Sequence, residues 1–196
     1  MSERRTTLKR ETKETRISGE LSLDGSGRAA VATGIGFLDH LLTALACHAG
    51  FDLKLECTGD LEVDDHHTAE DCALALGTAM RELLGDGSGI ARFGFAYAPL
   101  DEALARAVVD LSGRPWAGIR LGLERERLGA LATENVGHVL VSLATAARCS
   151  LHVDVLRGAN DHHRAEAAFK ATALALRQAV GRVPGGRVPS TKGVLV

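Results

Sequence analysis

The hexapeptide Asp65-His66-His67-Thr68-Ala69-Glu70 returns as Asp161-His162-His163-Arg164-Ala165-Glu166, 96 positions later and with one residue changed. Adjacent imidazoles followed by a carboxylate offer nitrogen and oxygen ligands for a first-row transition ion. One such pair is commonly a surface accident, but a second copy in register is hard to explain by core packing. On a helix, i and i+4 lie nearly above one another, whereas successive side chains diverge by about 100°. His66 and Glu70 can therefore grip one ion, and so can His162 and Glu166. His67 and His163 point away from those pairs and are better placed to serve a different ion.

The duplication extends further. Gly85 answers Gly181 and Arg81 answers Arg177 at the same offset of 96, and His40 answers His138 at 98. So long a period, present twice, marks a duplicated half-domain and not a solenoid of many short units. It also sorts the eight histidines into three equivalent pairs (His40/His138, His66/His162, His67/His163) and two residues without counterparts. His48 reads as a helix-end residue and His152 as a strand residue near the site without being a ligand. Among carboxylates Glu70 and Glu166 repeat, whereas Asp71 faces Ala167 and Asp39 faces Gly137.

Six histidines and two glutamates suffice for two ions with three nitrogens and one oxygen each. Exchange symmetry favours a crossed arrangement: His66, Glu70, His138 and His163 on one ion, and His162, Glu166, His40 and His67 on the other. The crossing can run within a chain or between chains. Such a set suits several ions, and affinity alone would favour copper or zinc. An open coordination sphere would make the ion catalytic, a closed four-coordinate one structural. Capping does not require the histidines, because Asp65 and Asp161 are the expected N-caps.

The elements that must carry these residues follow from periodicity. Thr15 to Leu23 and Arg28 to Thr33 read as strands around the turn Asp24-Gly25-Ser26-Gly27. Leu38, Leu41, Leu42 and Leu45 space a helix over 37–49, ended by Gly50. Phe51 to Cys57 alternates as a half-buried strand, and a long helix follows from Asp65 to Leu84. The second half repeats the order: strands across 93–121 with a turn at Ser112-Gly113-Arg114-Pro115, a helix over 132–147, a strand over 150–156, and a last helix from Asp161 to near Gly181. The expected class is α+β, with two similar halves, each a small mixed sheet with two helices on one face. The halves divide at 92/93, and a Pro/Gly-rich loop closes the second from Arg182.

Composition excludes several classes. With 196 residues the chain fits one domain or two fused half-domains. A formal charge of −2 and no Lys/Arg block give no case for nucleic acid. No apolar run reaches the roughly 20 residues that span a bilayer. The polar opening carries no apolar signal region, so a cytoplasmic location is expected. Cys47, Cys57, Cys72 and Cys149 are scattered and read as small buried residues in a reducing compartment.

At the metal-ready residues the chain resembles imidazoleglycerol-phosphate dehydratases. The resemblance rests on Thr33-Gly34-Ile35-Gly36-Phe37-Leu38-Asp39-His40, on 61–71, on 160–171 and on Pro189-Ser190-Thr191-Lys192-Gly193-Val194-Leu195, and it covers nearly the whole chain. It implies a fold like domain 2 of ribosomal protein S5. It also implies a lyase of histidine biosynthesis that dehydrates D-erythro-imidazole-glycerol phosphate to imidazole-acetol phosphate. Two manganese ions per active site would hold the substrate ring as imidazolate, so that the ring can expel the neighbouring hydroxyl through a diazafulvene-like state.

The same resemblance makes Glu14 the acid–base residue, with Asp101 a further candidate for positioning water. It assigns phosphate contacts to Arg92, Arg114, Lys170, Ser190 and Lys192. Taken alone, each of these is an ordinary surface charge, and Glu14 finds no partner in the repeat. Ala44 stands where some relatives carry a glutamine near the substrate. Some bacterial members carry an extra phosphatase domain, whereas a single activity is expected here. Relatives form homo-oligomeric hollow particles of about 24 subunits built from trimers.

Two other readings compete. A ferritin-like di-iron bundle would use more carboxylate than histidine and almost no strand. A zinc hydrolase fits the histidines and an open position, but needs neither the Arg/Lys/Ser set nor two matched ions.

Overall fold

The computed structural model describes residues 3–195. Strands β1 (Arg5–Glu11) and β2 (Thr15–Ser22) form an antiparallel hairpin; β3 (Ala29–Ala32), helix α1 (Gly36–Ala49) and β4 (Asp52–Gly59) follow. β4 runs antiparallel to β2 and parallel to β3, which gives the order β1-β2-β4-β3. Helix α2 (His66–Leu84) completes the first set. The second set is β5 (Phe93–Leu100), β6 (Ala103–Asp110), β7 (Trp116–Arg120), a short hairpin β8 (Arg127–Leu128) and β9 (Leu131–Ala132), α3 (Thr133–Ala147), β10 (Ser150–Arg157) and α4 (Asp161–Ala179). Its sheet order is β5-β6-β10-β7, with the same pattern of directions. The expected α+β fold of two small mixed sheets is what the chain adopts.

Alternation sets which face of each sheet is buried. Leu8, Ile17, Leu21, Leu53 and Leu55 point inward from the first sheet, and Ala96, Ala105, Ala107, Val109, Leu151 and Val153 from the second. The helices lie between the two inner faces. α2 packs along α3 and α1 along α4, so both helix pairs join the halves. Close approach is required at Gly77 of α2, where a Cβ would stand 2.6 Å from the Leu143 carbonyl oxygen and 2.8 Å from the Ala146 methyl of α3. At Gly94 a Cβ would collide with the Ala175 carbonyl of α4.

Two expectations need correction. Asp65 stands at the N-cap position of α2 as expected but its side chain makes no capping bond, and α4 is capped by Asn160 and not by Asp161. The Asp64 carboxylate accepts from His66 N at 2.8 Å, and the Asn160 side-chain oxygen accepts from His162 N at 2.9 Å. Asp65 and Asp161 are instead buried and brace loops: Asp65 accepts from Ala132 N and Asn135 Nδ2, and Asp161 from Glu124 N and Arg125 N. Cys47 is exposed and Cys57 half-buried; only Cys72 and Cys149 are the buried residues expected. The first strand, β1, lies within the strand-rich opening of the sequence and buries only Leu8.

Candidate metal centre

Helical geometry brings His66 and Glu70 to one face of α2, and α3 delivers His138 to the same place. His138 Nε2 lies 3.0 Å from Glu70 Oε1 and His66 Nε2 lies 4.0 Å from Glu70 Oε2. The mirror set is His162 and Glu166 on α4 with His40 on α1: Glu166 Oε2 is 2.9 Å from His40 Nε2 and 3.2 Å from His162 Nε2. In each trio the ligand atoms lie within 4.8 Å of one another. Two imidazoles and a carboxylate converging by their lone-pair atoms fit a first-row ion, with further positions left for other ligands. Each trio draws on both halves of one chain.

His67 and His163 join neither trio. His67 Nδ1 is 3.0 Å from Asp60 Oδ2, and its Nε2 is 3.7 Å from Glu14 Oε1. His163 Nδ1 is 2.7 Å from Glu102 Oε2, and its Nε2 is 3.8 Å from Asp101 Oδ2. Glu14 thus has a structural counterpart that the sequence offset hides: Asp101 sits at the β5–β6 turn as Glu14 sits at the β1–β2 turn. The hydrogen bond that the His67 imidazole donates to Asp60 holds it above its ordinary pKa, and the bond to Glu102 does the same for His163. The Glu102 carboxyl itself falls to about 2, through His163 and then the backbone amides of Asn160 and Ala159.

The surroundings of the two trios differ. His66 Nδ1 lies 3.0 Å from Asn135 Oδ1, and Asn135 Nδ2 donates to Asp65 at 3.0 Å. That chain leaves His66 Nε2 as the free lone pair. At the His138 offset of 98, Asn135 corresponds to Phe37, whose ring meets His162 edge-on at 5.0 Å. Glu166 also carries Lys170, 2.7 Å away, and has no such partner in the first trio, where the equivalent position is Leu74. Burial pushes the Glu166 carboxyl up, but Lys170 and His40 outweigh it and bring it down to about 2. Metal would find this carboxylate already ionised.

The remaining expected residues are spread around this frame. Glu14 is exposed, on a turn tied down by Asp71, which accepts from Arg10 Nε at 2.7 Å and Thr15 Oγ1 at 2.5 Å. Arg92 pairs with Asp110 at 2.7 Å and donates to Pro189 O at 2.6 Å, so it fastens the tail beside Ser190. Ser190 Oγ accepts from Lys192 N at 3.2 Å, and Arg114 and Lys192 are exposed. Ala44 is buried in α1, so its methyl belongs to the core. His152 lies on β10, bordered by Gly118 of β7, and His48 is half-buried near Lys170 and Glu166. Asp60, Glu102 and Asn135 escaped sequence reasoning, and Asp71 was set aside, because none repeats. Only Asn135 left a signal, three residues before His138.

The chain is similar to known proteins in both sequence and fold. The family model described as imidazoleglycerol-phosphate dehydratase matches residues 33–176. A protein of that name from Pyricularia oryzae is 54% identical, covering 99% of this chain and 98% of its own. Another, from Candida glabrata, is 56% identical over 96% of this chain and 98% of its own. A crystal structure of the enzyme from Pyrococcus furiosus superposes with a TM-score of 0.83 at 37% identity, covering 96% of this chain and all of that one. The chain belongs to the imidazoleglycerol-phosphate dehydratase family and is a dehydratase.

Proposed function

We propose that the chain dehydrates D-erythro-imidazole-glycerol phosphate to imidazole-acetol phosphate in histidine biosynthesis, using two manganese ions per active site. The observation that carries this reading is the pair of matched His-Glu-His trios, each built from both halves. When bound, the two ions supply Lewis acidity toward the substrate's imidazole ring. Everything else falls to the protein. Glu14, beside His67 Nε2, takes the proton from the second side-chain carbon, next to the one that loses its hydroxyl, and returns a proton to the carbon beside the ring, so that the enol becomes the ketone. Asp101, at the equivalent turn, positions the departing water. Arg114, Lys170, Ser190 and Lys192 meet the phosphate, and Arg92 contributes both charge and a grip on the tail.

His67 and His163 complete the coordination from a neighbouring copy, which makes the active enzyme a homo-oligomer of about 24 subunits. Two features support assembly. Neither histidine reaches a trio in its own chain. The outer face of the first sheet carries Arg16, Ser18, Glu20, Lys54 and Glu56, whereas that of the second exposes Phe93, Phe95, Tyr97, Val108 and Trp116. Such an apolar patch is uncommon on a monomer. No helix among the described residues is long and apolar enough to cross a membrane, and the enzyme works in the cytoplasm.

The test is turnover of imidazole-glycerol phosphate by purified protein, followed with bound metal. Activity should vanish on chelation and return with manganese. Undiminished turnover in chelator would sink the metal mechanism, and no turnover in metal-replete protein would sink the substrate.

A further inference from the structure

His67 and His163 occupy the same place in the repeat, yet the groups on their Nδ1 atoms come from unrelated positions. Asp60 follows β4, while Glu102 lies at the β5–β6 turn. With Asp101 matched to Glu14 at the hairpin turns Glu102 answers Thr15, and at the offset of 98 between β4 and β10 Asp60 answers Gly158, so neither carboxylate belongs to the repeated set. A contact inherited with a duplication can be a relic. One built twice, from different parts of the chain, answers a requirement of the histidine itself.

The physical requirement is plain. A carboxylate on Nδ1 keeps the proton there, fixes the ring plane and leaves the Nε2 lone pair free to ligate. Both Nε2 atoms do face outward from these clamps, toward Glu14 and Asp101 at 3.7 Å and 3.8 Å. Asp60 is held firmly by its main chain, its N–H donating to Glu14 O at 3.1 Å and its carbonyl accepting from Val63 N at 2.8 Å. Its second oxygen, Oδ1, is buried and has no hydrogen-bond partner among the described residues. An orphaned buried acceptor lowers stability, so the residue is poorly explained as a stabilising one.

We infer that Asp60 and Glu102 are positioning residues, each locking its histidine as the Nδ1-protonated tautomer and aiming Nε2 at a metal ion. The inference rests on the reading of His67 and His163 as ligands. The full chain, stripped of metal, is titrated with Mn²⁺ and separately with Zn²⁺, and the melting temperature of the metal-free protein is recorded. Asp60→Ala should weaken one class of site about 10–100-fold. Asp60→Asn keeps an acceptor oxygen toward Nδ1 and should lose less. The metal-free melting temperature should not fall in either.

Glu102→Gln should mirror the modest loss at the other class of site. Its melting temperature needs separate scrutiny, because Glu102 also accepts from Ala159 N at 3.0 Å and Asn160 N at 2.8 Å. Unchanged metal affinity with a lowered metal-free melting temperature in Asp60→Ala would overturn the inference and make Asp60 structural. His67→Ala is the control. If it keeps full affinity, the ligand reading fails and this inference goes with it; if it loses metal while Asp60→Ala does not, only the positioning role is refuted.

Discussion

A glutamate beside a metal-site histidine can serve the proton or the metal, and the two roles fail differently when an amide replaces the acid. Glu14 Oε1 stands 3.7 Å from His67 Nε2 on an exposed turn, close enough to reach substrate and outside both trios. Glu14→Gln should therefore retain metal content and substrate affinity while kcat falls about 10²–10⁴-fold. Lys192→Ala should chiefly raise KM, because a phosphate contact persists from ground state to transition state. Steady-state kinetics on metal-replete protein separates the two, and normal turnover by Glu14→Gln would move the acid–base role to Asp101. At this scale the ligand types were legible because duplication marks them. The residues that hold them were not, since Asp60 and Glu102 act through space from unrepeated positions.

Between elements, the metal trios depend on how closely helices cross. α2 carries His66 and Glu70 while α3 carries His138, and Gly77 is where the two backbones meet. Gly77→Ala places a methyl 2.6 Å from the Leu143 carbonyl oxygen, so the helices must separate. Overpacking of this kind costs about 1–3 kcal/mol, which a denaturant titration would read directly. Metal affinity of the His66/Glu70/His138 trio should fall as well, with the His40/His162/Glu166 trio spared. Equal loss at both would mean that the crossing does not act locally. Helix and strand order was readable from periodicity, because inward residues alternate in β4 and recur at helical spacing in α1. The two-residue strands β8 and β9 leave no period to read. At α2 the capping side chain is that of Asp64 and not Asp65, and the two are equivalent as sequence. Only the loop around Ala132 and Asn135 decides that Asp65 turns away.

Across the whole molecule, the beginning and end of the fold are stitched together by one carboxylate. Asp24 takes Arg4 at 2.6 Å and Arg182 at 2.8 Å, while Arg4 also donates to Val180 O. The Arg4 hydrogen bond, against a smaller opposing effect of burial and with help from Arg182, holds the Asp24 carboxyl far below its ordinary value of 3.8. A depressed folded pKa means that the stabilisation is fully present well above 3.8 and is lost as pH falls from there toward the folded value. Asp24→Asn should thus lower the melting temperature by a constant amount from pH 7 to pH 5, as linkage requires about a unit above the unfolded pKa, and by less at pH 3. A difference that does not shrink in acid would remove the charge from the account.

Assembly poses the larger test, because the chain alone gives each trio three protein ligands and leaves His67 and His163 outside them. If those histidines complete sites on neighbouring copies, metal is part of the glue between subunits, and any ligand bound only by the assembled form stabilises it by mass action. Stripping the metal should then convert the large particle into smaller, trimer-like species in sedimentation velocity, with re-addition of manganese restoring it. The aromatic outer face of the second sheet does not depend on metal, so contacts made through it would survive chelation and keep the products above monomer. One unchanged particle with and without chelator would show that the interfaces hold without the metal. Dissociation to monomers would instead show that the Phe93, Phe95 and Trp116 face is not an interface at all.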